Sequence, residues 1–131
     1  MNESEFILVA APTKASEQFI YYLKFKGLPF AAVTNNKQEE EHLAKLGVEH
    51  IIVLDTAEHE TWIIPEYRIG KIFLFENSLS LCCRYLQITR KWTSKPVYVI
   101  TERETARLIY KGLGADHVIY SKTGHVSFLL D

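Results

Sequence analysis

Six short apolar runs, at residues 7–10, 30–34, 51–54, 72–75, 97–100 and 117–120, punctuate the chain, with amphipathic stretches between them. Continuous apolar runs of this length suit strands buried on both faces. The stretches between them read as helices. After the first run Thr13 or a neighbour is placed to cap a helix whose Phe19, Ile20 and Leu23 share one face, and Gly27 is placed to end it. Asn36 with Glu39 three residues on resembles a capping box, Glu39–Glu41 put negative charge in the first turn, and Gly47 closes this second helix. A short helix around 58–63 is stopped by Pro65, and residues 67–70 lead into the fourth run.

The longest predicted helix, 78–92, carries two apolar stripes, Leu79, Cys82, Cys83 and Leu86 on one line and Leu81, Tyr85, Ile88 and Trp92 on another. A surface helix of a small domain needs only one such face, so the second stripe predicts a contact with another subunit or domain. A helix over 102–112, ended by Gly112-Leu113-Gly114, precedes the sixth run, and 124–130 reads as the start of another helix. Parallel strands need crossovers, and crossovers cover both faces of a sheet. The alternation therefore predicts an α/β fold: one doubly wound, six-stranded parallel sheet with helices on both faces. At 131 residues the chain forms one domain, 1–131, which stands alone or makes the N-terminal part of a longer protein.

Composition narrows the picture. A hydrophobic content of 47% and a charged content of 24% exclude a disordered chain. A formal net charge of -1 gives no general attraction for nucleic acid or acidic lipid. No apolar run reaches the ~18 residues of a membrane helix, and the opening MNESEF is acidic where a signal peptide is basic and then apolar. Cys82 and Cys83 are adjacent, which fits a reducing compartment. A cytoplasmic chain is expected, with neither nucleic acid nor direct membrane insertion.

Asp55, Glu76 and Glu102 follow predicted strands, on the sheet edge where open α/β folds bind ligands; the plainer alternative is three solvated carboxylates at helix starts. Lys14 sits where a helix N-terminus favours a phosphate, or is simply an exposed lysine. Arg103, Arg107 and Lys111 make a basic ridge, either solvated or suited to an acidic partner. The five histidines show no ligand spacing, and no P-loop, CxxC or G-x-S-x-G elbow is present.

The segment Gly114-Ala115-Asp116-His117-Val118-Ile119 after a helix, the Leu54-Asp55-Thr56-Ala57 string after the third run, the Arg68-Ile69-Gly70 turn and the order of all elements resemble the N-terminal Rossmann domain of potassium-transport regulators, the TrkA-N or RCK type. The resemblance covers nearly the whole chain and implies strand order 3-2-1-4-5-6. It also implies a nucleotide site, NAD(H) or an adenine nucleotide, at the turn after the first strand. There Ala11, Thr13 and Ser16 stand where the family has the three glycines of G-x-G-x-x-G. The branched side chain of Thr13 occupies the space through which a phosphate reaches backbone N–H groups, so an absent cofactor is an equal expectation. Where the family holds a ribose with an acidic residue, this chain has Thr34 and Asn35, and the family motif after strand three puts Asp55 and Thr56 at the site.

The resulting expectation is a regulatory nucleotide-binding module, intact or degenerate, acting as a homodimer through Leu81, Tyr85, Ile88 and Trp92, with a membrane transporter or channel subunit as a further partner. The alternatives are a small NAD(P)-dependent oxidoreductase, a purely structural dimeriser and a receiver-like domain. A receiver would need acidic residues after strand one and a lysine after strand five, where this chain has Ala11-Pro12-Thr13 and Thr101-Glu102.

Overall fold

The computed structural model describes residues 5–10, 13–54, 68–103, 106–122 and 126–130. Six parallel strands form one sheet: β1 (Phe6–Ala10), β2 (Phe30–Thr34), β3 (Ile51–Val53), β4 (Ile69–Phe75), β5 (Val97–Thr101) and β6 (His117–Tyr120), in the order β3-β2-β1-β4-β5-β6. This is the expected doubly wound order, with the switch between β1 and β4. Among the described residues four α-helices accompany it: α1 (Lys14–Lys26), α2 (Lys37–Lys45), α3 (Leu79–Thr89) and α4 (Arg107–Gly112).

Strand side chains alternate between the two faces. Leu8, Ala31, Ile72, Leu74 and Val99 point to the core shared with α3 and α4. Val9, Ala32, Phe73, Phe75 and Ile100 point to the core shared with α1 and α2. On that second face Phe19 of α1 tilts against Phe73, which stacks on Tyr98 at 4.8 Å. Both faces are apolar because both are covered, as the continuous runs required.

Several boundaries differ from the sequence reading for local reasons. β4 begins at Ile69, before the interrupting Gly70-Lys71, because a bulge absorbs the extra residue: Phe6 pairs with Ile69, but Leu8 pairs with Ile72. α3 ends at Thr89 and tightens into a 3-10 turn, Arg90–Trp92. α4 starts at Arg107, not 102, because the Thr101 hydroxyl accepts the Arg103 N–H at 2.9 Å and holds this stretch in a turn. The C-terminal segment forms a 3-10 helix, Ser127–Leu130. The short helix expected around 58–63 lies outside the described residues.

The second apolar stripe of the long helix has a different use from the one expected. Tyr85 and Ile88 are only 3% and 4% exposed and belong to the domain's own core, together with Ala106 and Tyr110 from the α4 region. Leu81 and Trp92 are half-buried against the same core. Both apolar lines of α3 thus meet one core, formed by the sheet and the neighbouring α4 region. The expected homodimer contact through Leu81, Tyr85, Ile88 and Trp92 is corrected for Tyr85 and Ile88, which the chain's own core takes up; Leu81 and Trp92 keep part of their surface exposed.

The Gly-Ala-Asp segment before β6 is a structural joint. Gly114 has φ of +111°, and a Cβ there would lie 3.0 Å from Arg90 Cγ, so glycine fits both the backbone and the space. Asp116 Oδ2 accepts from the Val97 N–H and from Arg90 Nη1, each at 2.8 Å, which ties β6 to the start of β5 and to the end of α3. Partial burial alone would raise the Asp116 carboxyl, but the Val97 N–H and the Arg90 guanidinium outweigh it and hold the group below its ordinary value. Its contribution is thus fully present above the ordinary aspartate range, about pH 4, and fades as pH falls through the depressed folded value. Asp116→Ala is expected to cost about 1 kcal/mol at neutral pH, discounted because the side chain is partly solvated, and less under acid conditions. Urea titrations at pH 7 and near pH 3 check both the size and the sign.

Candidate functional site

The C-terminal ends of the strands and the start of α1 enclose a cleft of about 290 Å³. Lys14, Ala15 and Gln18 of α1 line it with the capping Thr13, and Phe75, Glu76, Ile100, Thr101, Ser121 and Lys122 come from the ends of β4, β5 and β6. Open α/β sheets bind ligands at this edge because loops from parallel strands converge there. Apolar Phe75 and Ile100 sit among two ammonium groups, hydroxyls and carboxylates.

At the start of α1, Thr13 and Ser16 cap each other. The Ser16 N–H donates to Thr13 Oγ1 at 3.2 Å, and the Thr13 N–H donates to Ser16 Oγ at 3.1 Å. Ser16 Oγ also donates to the Thr13 carbonyl at 2.7 Å. This is a reciprocal capping box closed by serine instead of glutamate. A dinucleotide turn leaves such N–H groups open for pyrophosphate, and here two of them are spent on side chains. Ser16 is wholly buried, so its hydroxyl is shut inside the turn.

Glu76 forms the opposite wall. Its side chain is 3% exposed, and the carboxylate accepts from the Thr101 hydroxyl at 2.7 Å and from the Tyr110 hydroxyl in a short hydrogen bond. Arg103 Nε stands 3.7 Å away. A buried carboxylate is tolerated when donors meet its oxygens. Burial, and then donation to Glu76, push the Tyr110 phenol well above its usual value, so it stays protonated as a fixed donor. Burial pushes the Cys82 thiol up to about 12, and burial also raises Cys83. Neither cysteine is a thiolate nucleophile at neutral pH.

Of the residues singled out in the sequence, Thr13, Lys14, Glu76 and Glu102 meet in the cleft, and Ser16 backs it through the cap. Thr34 is fully buried at the end of β2, where its hydroxyl accepts the Asn36 N–H at 3.4 Å. Asn35 Oδ1 accepts from the Asn36 side chain at 3.0 Å, while Asn36 Oδ1 caps α2 through the Glu39 N–H at 2.7 Å. Thr34 and Asn35 are not among the cleft-lining residues. Ala11, Asp55 and Thr56 lie outside the described residues. Thr101, Ser121, Lys122 and Tyr110 were missed. The first three stand at or just after strand ends, the signal that found Glu76. Tyr110 carries no comparable signal, since only the packing of α4 brings it to Glu76. Among the described residues no group of three His, Cys, Asp or Glu side chains is arranged to hold a metal.

No protein-family model matches the chain, and no curated protein matches its sequence. Solved structures do match. The TrkA-N domain of the inner membrane protein YbaL from Escherichia coli superposes with a TM-score of 0.72 at 11% identity, covering 99% of this chain and 97% of that one. The chain has the Rossmann-like α/β fold that such TrkA-N and RCK domains share. The same fold aligns with the GsuK channel bound to NAD, at a TM-score of 0.68 and 15% identity, over 90% of this chain but only 22% of the longer GsuK chain. It aligns too with the NAD(P)-binding domain of an exopolyphosphatase-related protein from Archaeoglobus fulgidus, at 0.70 and 14% identity, over 98% and 96% of the two chains. Among the described residues no helix is long and apolar enough to cross a membrane.

Proposed function

We propose that this chain is a regulatory module of the TrkA-N/RCK type in which a helix cap has replaced the dinucleotide grip. It works through a partner, a potassium transporter or channel subunit, on the cytoplasmic side. The reading is supported by the shared fold with NAD-bound and ADP-bound channel structures. The single observation that carries it is the Thr13–Ser16 box, which uses two N–H groups that a pyrophosphate would need. Loss of two charge-assisted bonds to phosphate, at roughly 1.5–3 kcal/mol each, takes a micromolar ligand toward the millimolar range or beyond. An oxidoreductase reading finds no support in the described residues: the Tyr110 phenol is buried and engaged by Glu76, so it makes no proton donor for a bound substrate.

Calorimetric titration with NADH, NAD, ATP, ADP and AMP tests the proposal. No ligand is expected to bind with a Kd tighter than about 1 mM. A micromolar Kd for NAD(H) or for an adenine nucleotide would make the domain an intact sensor and overturn the degenerate reading.

A further inference from the structure

At the N-terminal edge of the strands, opposite the cleft, lies a second cavity of about 360 Å³. It sits where α1 and α2 end and where β1, β2 and β3 begin. Phe6, Leu28 and Phe30 give it an apolar wall, and the Phe6 ring meets His50 edge-on at 5.1 Å. Small-molecule pockets have this make-up, an aromatic and aliphatic lining with a few placed polar groups. Two side chains of opposite charge, Lys24 and Glu49, complete the lining. Among the described residues they form an ion pair neither with each other nor with any other side chain.

Lys24 is held in position. Its Nζ donates to the Leu46 carbonyl at 2.9 Å, at the C-terminal end of α2, and a Cβ at Gly47 would overlap the ammonium. That bond uses one of the three N–H donors of an ammonium, so two are left for a ligand. Both helices end at this rim, and helix C-termini favour positive charge. A ligand with only a carboxylate would suit Lys24 but would face Glu49 and two helix ends. A ligand with only an ammonium would face Lys24. One that carries both charges answers all of these groups.

We propose that this cavity binds a free α-amino acid with an apolar side chain. The carboxylate of the ligand pairs with Lys24, its ammonium pairs with Glu49, and its side chain lies on Phe6, Leu28 and Phe30. Charge-assisted bonds fix the two ends of the ligand, and burial of its side chain selects apolar over polar amino acids. The cavity is at the far end of the strands from Thr13, so the site does not depend on whether the α1 turn is open or closed.

Calorimetry on the full chain with L-leucine and L-phenylalanine tests it. The controls are phenylpropanoate, which lacks the ammonium, phenethylamine, which lacks the carboxylate, and L-serine, which lacks the apolar side chain. At least one of the two apolar amino acids is expected to bind with a Kd below about 1 mM, and every control at least tenfold more weakly. Lys24→Met and Glu49→Gln are each expected to weaken binding at least fivefold. Both positions are exposed, so an unchanged urea midpoint will show that the variants remain folded. The amide resonances of Gly47 and Glu49 are expected to shift on binding while that of Thr13 stays in place. Absence of saturable binding up to about 10 mM would overturn the proposal, as would a control that binds as tightly as the amino acid or variants that bind like the parent. Shifts at Thr13 and Lys14 in place of Gly47 and Glu49 would assign the ligand to the cleft and overturn it equally.

Discussion

Glu76→Ala is expected to lower the free energy of unfolding by about 3 kcal/mol, because it strands two buried hydroxyls at once. Thr101 is 2% exposed and Tyr110 fully buried, and both donate to the carboxylate that the substitution removes. Each buried donor left without an acceptor costs about 1–3 kcal/mol. Relief from burying the carboxylate returns part of that sum. For a domain of this size the loss corresponds to a fall in Tm of roughly 10 °C. Tyr110→Phe removes one donor and leaves the carboxylate with Thr101, so about 1–1.5 kcal/mol is expected. Urea denaturation should therefore rank the Glu76→Ala variant well below the Tyr110→Phe variant. A Glu76→Ala loss under about 0.5 kcal/mol, the range of an ordinary surface change, would mean that the wall of the cleft is not built around this carboxylate.

The second large effect concerns the start of α1. Thr13→Gly with Ser16→Gly opens the turn by removing both hydroxyls of the box, which frees the two N–H groups they now engage. Glycine is itself an adequate N-cap, so the first change costs only a few tenths of a kcal/mol. The second places glycine inside a helix and removes a buried hydroxyl, which costs about 1 kcal/mol more. NADH affinity is expected to rise at least tenfold over the parent, about 1.4 kcal/mol. Calorimetry on parent and double variant measures the gain, and thermal unfolding measures the loss. An unchanged affinity would show that something other than the cap blocks the dinucleotide.

The strands were legible because each is short, apolar on both faces and bounded by proline, glycine or a polar cap. Gly27, with φ of +67°, ends α1 where its position suggested. The sequence misled where a boundary depends on a side chain folding back. Thr101 holds Arg103 out of α4, and a bulge lets β4 begin before Gly70 and Lys71. The two stripes of α3 were real, but periodicity records only that a face is covered. Whether the cover is α4 or a second chain is decided by packing, and here Tyr110 and Ala106 join Tyr85 and Ile88 in one core.

The candidate site was partly legible for the same reasons. Glu76 and Lys14 follow from the rule that ligands gather at strand ends. The steric objection to Thr13 was visible in its branched side chain. Its reciprocal bonding with Ser16 depends on the helix being formed, and that bonding turns a crowded turn into a closed one.

A titration of isotopically labelled chain with NADH, followed through the backbone amide resonances of Thr13 and Ser16, reads the closed turn directly. Both signals are predicted to stay in place up to about 1 mM ligand, as expected for amides already bonded within the cap. Saturable displacement of the two at micromolar NADH would show that the turn opens to grip a diphosphate, and would contradict the account at its centre.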